Sequence, residues 1–248
     1  MLLTYCTLYS EEKIKTIILA GGLGTRISEE TANKPKPMVL IGDKPILWHI
    51  MKIYAIQGFD DFIIAGGYKV DVIEKWVSSL DESWSISVLD TGLQTQTGGR
   101  IKRCMERFPE DRYFLTYGDG VGNIDLSKLL DLHVQHKRLE TVTAVRPPAR
   151  FGVLQIDSGL VNHFGEKNQT DAGWINGGFF VLEGAVTNFI ESDEDLFETK
   201  ALPSLASLKQ LSAYQHEGFW QPMDTLREMN LLKEQSNYPD IPWFSIKS

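Results

Sequence analysis

Apolar residues in the first half of the chain alternate between two spacings. Continuous apolar and β-branched runs predict buried strands at residues 16–20, 62–65, 86–89 and 113–117. Apolar residues three and four positions apart predict amphipathic helices at 45–58, 70–77, 98–105 and 126–136. This alternation of strand and helix is typical of a mostly parallel sheet that helices cover on both faces.

The second half of the chain has shorter links and more consecutive strands. Strands are predicted at 141–145, 153–156, 161–164 and 179–182, and helices around 196–209 and 225–233. No Pro/Ser-rich linker or repeat divides the chain. We therefore predict one α/β domain over residues 14–248, with a Rossmann-like half at about 14–140 and a more mixed half at about 141–248. Residues 1–13 are interpreted as a loosely ordered leader.

A glycine-rich run follows the first predicted strand and ends at Arg26. Backbone N–H groups crowded into such a turn form a concave anion site, and a guanidinium matches phosphate oxygens. The run does not match the dinucleotide-binding fingerprint, because Ile27 stands where the third glycine of that motif is needed. It does not match the P-loop motif either, because neither Lys34 nor Lys36 follows a glycine. The run therefore predicts a polyphosphate site of another kind.

Two aspartates are candidate metal ligands. Asp119 follows a predicted strand between two glycines, where a carboxylate can hold a hard cation against phosphates. Asp224 could supply a second carboxylate, but a helical pattern begins at Thr225, so Asp224 could equally be the N-cap of that helix. The acidic cluster at 191–198 lacks calcium-loop spacing and is interpreted as a solvated turn and helix start.

Composition narrows the class of protein. The 248 residues have a formal net charge of −8, which does not favour non-specific binding to nucleic acid or anionic membranes. Two cysteines are too few for a disulfide framework. No apolar stretch is long enough to predict a membrane span, and the first residues do not resemble a secretory signal. A cytoplasmic protein is expected.

Seven motifs spread over most of the chain resemble the sugar-1-phosphate nucleotidyltransferases, and in particular their cytidylyltransferase branch. They lie at residues 21–26, 34–38, 44–51, 97–100, 117–120, 175–181 and 218–225. The resemblance implies a nucleotide-diphospho-sugar transferase type of fold. It also implies Mg²⁺-dependent transfer of a cytidylyl group from CTP to glucose 1-phosphate, for nucleotide-sugar and polysaccharide synthesis. The first half would then bind the nucleotide and the second half the sugar phosphate.

The resemblance also implies residue roles. Arg26, Lys36 and Lys167 would be catalytic, and Asp119 and Asp224 would hold Mg²⁺. The sugar phosphate would contact Gly152, Glu166, Lys167 and Asn176. Thr97 and Arg100 would contact the pyrimidine. The nucleotide would contact Leu19, Ala20, Gly21, Gly22, Gly24, Thr25, Arg26, Lys36, Thr97, Arg100 and Gly118.

One departure from the family pattern concerns the short connection at 78–87, where members have a longer segment. It leaves the subunit number of a possible homo-oligomer open. Three alternatives also stay open: another nucleotide or sugar 1-phosphate, a catalytically silent sugar-nucleotide sensor, and a nicotinamide oxidoreductase. The presence of Arg26, Lys36, Asp119, Lys167 and Asp224 favours an enzyme over a sensor.

Overall fold

A seven-stranded mixed sheet organises the computed structural model, which describes residues 14–147, 152–157, 160–166 and 173–246. The strands are β1 (Lys15–Leu19), β2 (Leu40–Ile41), β3 (Lys44–Pro45), β4 (Asp61–Gly66), β5 (Ser85–Asp90), β6 (Arg112–Tyr117), β7 (Gly120–Gly122), β8 (Glu140–Val145), β9 (Gly152–Asp157), β10 (Leu160–Glu166), β11 (Ile175–Glu183), β12 (Leu211–His216) and β13 (Trp220–Pro222). The helices are α1 (Ser28–Thr31), α2 (Ile46–Ala55), α3 (Val70–Ser78), α4 (Thr97–Arg107), α5 (Leu126–His136), α6 (Ala201–Ser207) and α7 (Leu226–Gln235).

The main sheet has the order β12-β8-β11-β6-β1-β4-β5. The pairs β1–β4, β4–β5, β1–β6 and β8–β12 are parallel. Strand β11 runs antiparallel to both of its neighbours, β6 and β8. The predicted mostly parallel α/β sheet is therefore confirmed, and β11 of the second half pairs directly with β6 of the first.

Both faces of this sheet are buried, which explains why its central strands are continuous apolar runs. On β1, Ile18 packs with α2, α5 and α7, whereas its neighbour Ile17 packs with α4 and α6 on the opposite face. Both side chains have no exposed surface. The helices therefore lie on both sides of the sheet, as the alternating pattern predicts.

The sequence pattern missed β12 and overestimated the helix before it. Strand β12 lies at the edge of the sheet and is mostly half-exposed, so its apolar residues do not form a continuous run. The helix predicted around 196–209 is confined to α6, because residues 193–198 pack against the start of α4 instead. No helix within the described ranges is long and apolar enough to cross a bilayer. The predicted leader at 1–13 lies outside the described residues.

The carboxyl-terminal segment returns to the core through Trp243, which is fully buried. Its ring packs against Phe219 and His49, and its Nε1 donates to His49 Nδ1 at 3.4 Å. The other ring nitrogen of His49 lies 2.8 Å from the carbonyl oxygen of Ile41. Burial lowers the pKa of His49, which favours the neutral ring that this arrangement requires. Trp243 thus closes the side of the core that α2 covers.

Replacing Trp243 with Ala should lower the free energy of unfolding by about 3–5 kcal/mol, because it leaves a large cavity beside an unpaired His49 nitrogen. Urea denaturation measures this directly. Tyr238→Ala is the matched control, since Tyr238 is exposed in the same segment and its loss should cost about 0.5 kcal/mol. Equal effects of the two changes would contradict the closing role of Trp243.

Candidate active site

A cavity of about 470 Å³ opens at the carboxyl ends of β1 and β6. The chain continues from β1 to β4 on one side, whereas β6 pairs with β1 on the other side, so the cavity lies where the strand order reverses. Open α/β sheets bind ligands at this position. The cavity is lined by Leu19, Ala20, Gly21, Gly22, Leu23, Gly24, Thr25, Arg26, Lys36, Pro37, Leu93, Gln94, Thr95, Gln96, Thr97, Arg100, Tyr117, Gly118, Asp119 and Asp224.

The glycine-rich loop after β1 has two positions that only glycine fits. Gly24 has a φ of 65°, in the left-handed region, and a Cβ there would lie 2.9 Å from Cγ2 of Thr31. A Cβ on Gly21 would lie 2.1 Å from Nη1 of Arg100. The loop therefore turns sharply and lies directly against a buried guanidinium. This keeps its backbone at the wall of the cavity.

Lys36 is the cationic centre of the cavity. Its Nζ donates to Asp119 Oδ2 at 2.6 Å and to Asp224 Oδ1 at 2.9 Å. Burial alone would lower the pKa of this ammonium, but the charges and hydrogen bonds of both aspartates outweigh it and raise the pKa above its ordinary value. Lys36 is therefore positively charged, and only 12% of its side chain is exposed.

Local structure fixes the direction of this lysine. Pro35 is extended, and Lys36 begins a single 3-10 turn, Lys36–Met38, with Pro37 in its first positions. Proline fixes φ near the value that such a turn requires, so the backbone that holds Lys36 has little freedom. Arg26 lies at the rim instead, since 73% of its side chain is exposed. Its Nη1 is 3.1 Å from Asp224 Oδ2.

Asp119 and Asp224 are far apart in sequence and are brought together by a short ladder. Strand β13 pairs antiparallel with β7, and the N–H of Met223 donates to the carbonyl of Asp119 at 2.8 Å.

The N-cap of α7 is Thr225, in a capping box with Glu228, so the alternative of Asp224 as the cap is wrong. Glu228 Oε2 also accepts from the N–H of Asp224 at 2.8 Å. The Asp224 carboxylate is thereby left to face Lys36 and Arg26.

Two carboxylates that meet at one ammonium are a suitable donor set for a divalent cation. Mg²⁺ usually takes one or two protein carboxylates and fills its remaining positions with water and phosphate oxygens. Within the described ranges, no group of three or more His, Cys, Asp or Glu side chains forms a metal site. Asp119 and Asp224 fit a metal whose remaining positions a bound polyphosphate and water would fill.

Arg100 lies on α4 at the back of the cavity and is 5% exposed. Its Nη1 donates to the carbonyl of Gly66 at 2.8 Å and to Thr91 Oγ1 at 2.5 Å. Its Nη2 donates to the carbonyls of Gly21 and Leu93 at 3.1 and 3.5 Å. One guanidinium thus connects the end of β4 with the loops that follow β1 and β5. The predicted contact of Arg100 with the pyrimidine stays a prediction.

The predicted nucleotide residues all line this one cavity, together with Asp119 and Asp224. Of the predicted sugar-phosphate residues, Asn176 is exposed and its Nδ2 donates to Tyr117 Oη at 3.3 Å. Gly152 and Glu166 lie on β9 and β10, which pair antiparallel. Lys167 lies outside the described residues.

Sequence reasoning missed the segment at 93–96 and Tyr117, which also line the cavity. Tyr117 ends the predicted strand at 113–117, and residues 93–96 come shortly after the one at 86–89, so their place near the carboxyl ends of strands was the available signal. It also misread part of the acidic cluster at 191–198. Glu198 is half-buried and accepts from Thr97 Oγ1 and Tyr117 Oη, both at 2.7 Å. Nothing in the local sequence shows that this carboxylate folds back behind the cavity wall.

The sequence and the fold are both similar to those of known proteins. The family model described as nucleotidyl transferase matches residues 15–234. A glucose-1-phosphate cytidylyltransferase of Salmonella typhi is 45% identical over 93% of this chain and 98% of its own length. HddC from Yersinia pseudotuberculosis, complexed with GMP-PN, is 25% identical with a TM-score of 0.73, covering 90% of this chain and all of that one.

A further solved structure, UDP-glucose pyrophosphorylase complexed with UDP-glucose, is 18% identical, with a TM-score of 0.69. It covers 91% of this chain and 98% of that chain. At this level of identity the likeness concerns the fold alone. It places the sheet described above in the nucleotide-diphospho-sugar transferase fold that the sequence predicted.

Arg100→Lys should lower the free energy of unfolding by about 2–4 kcal/mol, because an ammonium cannot reach all the carbonyls that the guanidinium fork holds. Chemical denaturation measures the loss. Arg107→Lys, on an exposed position of the same helix, should change it by about 0.5 kcal/mol or less. A stability of Arg100→Lys equal to that of the control would rule out the connecting role of Arg100.

Proposed function

Because the chain belongs to the nucleotidyl transferase family, we propose that it transfers a cytidylyl group from CTP to α-D-glucose 1-phosphate, with CDP-glucose and pyrophosphate as products. The observation that most supports this proposal is the set of charges around Lys36. A buried ammonium, a rim guanidinium and two carboxylates meet beside a glycine-rich loop at the carboxyl edge of the sheet. Such a set suits a reaction between two phosphate-bearing anions.

In the proposed reaction, a phosphate oxygen of glucose 1-phosphate forms a bond to the α-phosphorus of CTP. The bond from that phosphorus to the oxygen bridging the α- and β-phosphates breaks, and pyrophosphate leaves with its electron pair. The attacking oxygen is already anionic, so the protein needs no general base. The rate must come from holding the two anions in line and from stabilising the charge that develops on the leaving group.

The residues of the proposed site divide this work. Leu19, Ala20 and the glycines of the loop hold the nucleotide, together with Gly118, whose N–H donates to the carbonyl of Leu19 at 2.9 Å. Arg26, at the rim, binds the triphosphate tail. Lys36, deeper in the cavity, contacts the phosphates at the reacting centre. Lys167 is proposed to bind the phosphate of the sugar, and Glu166 and Asn176 the sugar itself, with Gly152 beside them.

Mg²⁺ is the proposed metal, held by Asp119 and Asp224, and when bound it supplies positive charge to the phosphate oxygens. Lys36 donates a hydrogen bond to each of these two carboxylates. Residues at about 14–140 form the nucleotide-binding half of the proposed site and residues at about 141–248 the sugar-phosphate half. We also place the protein in the cytoplasm, with its product used for polysaccharide synthesis.

Base choice is proposed to depend on Thr97 and Arg100 at the start of α4. A different nucleotide or sugar phosphate is the second candidate, because HddC, which shares this fold, is complexed with GMP-PN. The short connection between α3 and β5 bears on the proposed homo-oligomer, whose subunit number light scattering would give.

A substrate panel tests the proposal. Pyrophosphate release is measured with glucose 1-phosphate and Mg²⁺ against CTP, UTP, dTTP, ATP and GTP, and again with mannose 1-phosphate as the acceptor. CTP with glucose 1-phosphate should give at least about tenfold higher kcat/KM than any other pair, as a base-specific pocket typically does. Chelation with EDTA should abolish the signal.

If another nucleotide is used as efficiently as CTP, the proposed reaction type would still stand, but the assignment of CTP as the specific substrate would be wrong. Silence with every pair, in a protein that still binds nucleotide, would favour the sugar-nucleotide sensor.

Lys36→Met should lower kcat/KM by about 100-fold or more, because it removes a charge that contacts the reacting phosphates. Steady-state kinetics with CTP and glucose 1-phosphate measures the loss. Lys34→Met is the control, since Lys34 lies two residues away and pairs with Glu30 at the edge of α1, 3.6 Å away. Turnover of Lys36→Met within threefold of the control would contradict the role of Lys36.

A further inference from the structure

Behind the cavity, one carboxylate connects the two walls that the nucleotide and the sugar phosphate would use. Glu198 Oε2 accepts from Thr97 Oγ1 at 2.7 Å, and Glu198 Oε1 accepts from Tyr117 Oη at 2.7 Å. Tyr117 Oη in turn accepts from Asn176 Nδ2 at 3.3 Å. Thr97 and Tyr117 line the cavity, whereas Glu198 does not. The carboxylate therefore acts on the site only through its neighbours.

The residues just before Glu198 fix its backbone against the sheet and α4. The adjacent Phe197 is fully buried and packs edge-on against Phe180 of the sheet, with ring centroids 6.0 Å apart. Its N–H donates to Thr97 Oγ1 at 2.9 Å. Gly98 at the start of α4 donates its N–H to the carbonyl of Asp195 at 2.9 Å. The segment at 193–198 thus docks on α4 before it reaches Glu198.

The hydrogen-bond roles in this network require a carboxylate. Thr97 Oγ1 accepts from Phe197, so its hydrogen is free to point at Glu198. Tyr117 Oη accepts from Asn176, so its hydrogen also points at Glu198. An ionised carboxylate accepts both, but an amide at this position could accept only one. Charge-assisted hydrogen bonds of this kind are about twice as strong as neutral ones.

A second buried acid lies near this network. Glu140 has no exposed surface, and its two carboxyl oxygens have no hydrogen-bond partner among the described residues. Burial and the nearby charge of Glu198 raise the pKa of Glu140, which favours its neutral form. The hydroxyl groups of Thr97 and Tyr117 are thus bound by Glu198 and not by Glu140.

We propose that Glu198 is a positioning residue that sets the nucleotide wall, through Thr97, and the sugar-phosphate wall, through Tyr117 and Asn176, at the same time. The inference rests on the proposed function, which states which substrate lies at each wall. It assigns a role to an acidic residue that contacts neither substrate. Removing its charge should therefore weaken the use of both substrates together.

The test compares KM for CTP and for glucose 1-phosphate in the full chain and in Glu198→Gln. The variant keeps the size of the side chain but loses one acceptor and the negative charge. One of the two hydrogen bonds is then lost and the other is no longer charge-assisted, so both KM values should rise about fivefold or more. Thr97→Val should raise mainly the KM for CTP, and Tyr117→Phe mainly the KM for glucose 1-phosphate. Glu194→Gln, an exposed position in the same acidic segment, is the matched control and should move neither value.

A double variant shows whether Tyr117 acts through Glu198. Tyr117→Phe added to Glu198→Gln should raise the KM for glucose 1-phosphate by less than twofold further. Calorimetric titration with CTP alone measures the nucleotide wall without turnover, and thermal unfolding separates a loss of folding from a loss of positioning. Where Glu198→Gln fails to fold, the Thr97→Val/Tyr117→Phe pair removes the same two hydrogen bonds and should reproduce both increases.

Two results would overturn the inference. In the first, Glu198→Gln folds but raises only one KM value or neither. In the second, the fold-increases in the KM for glucose 1-phosphate caused by Glu198→Gln and Tyr117→Phe multiply in the double variant. The unmodified chain decides the proposed function separately. Turnover of a different pair of substrates corrects that proposal, and the same variants are then assayed with that pair. A chain that binds neither kind of substrate overturns the proposed function, and this inference with it, before any variant is compared.

Discussion

The attraction between Lys36 and two aspartates is the interaction on which the rest of the site depends. Two carboxylates brought this close together repel each other, and desolvation adds to the cost of keeping both charged. The Lys36 ammonium, 2.6 and 2.9 Å from Asp119 and Asp224, offsets both effects. The lysine can do so only because its proline-flanked turn aims it inward and the β7–β13 ladder holds the aspartates on the facing side. The local fold therefore brings these three charged side chains together, and the attraction between them in turn stabilises that local fold.

Arg100 and Glu198 perform a comparable task for the walls of the cavity. Each is a polar side chain whose partners lie at or beyond the ends of different strands and helices, and Arg100 is buried more deeply than Glu198. Loops at the edge of a sheet have few apolar contacts to fix them, so polar side chains from behind supply the constraint. The cavity is consequently shaped by residues that contact its wall from the protein side. A survey of lining residues alone would miss half of that arrangement.

Much of the fold, and the meeting of the glycine-rich loop with Asp119 at one cavity, could be predicted from the sequence, because the signals are local. The run at 16–26 contains its own strand, turn and cation, and Asp119 follows its strand directly. Strand β12 was missed because an edge strand does not need a continuous apolar run. The partners of Arg100 and the position of Glu198 depend on which loops meet in space, and no local spacing encodes that. The N-cap of α7 was ambiguous because Asp224 and Thr225 are both good caps, and the box formed with Glu228 decides it.

The separation of Asp119 and Asp224 along the chain has a consequence for synthesis on the ribosome. Lys36 and Asp119 emerge early, but their partner Asp224 comes 188 residues after Lys36 and belongs to the ladder and helix near the end of the described chain. Chains are made and begin to fold from the amino terminus. A nascent chain can therefore form the glycine-rich loop and most of the sheet while the charge cluster is still incomplete. Asp224 joins the cluster only once the β7–β13 ladder can form, so a chain that stopped before β13 would lack one of the two carboxylates around Lys36.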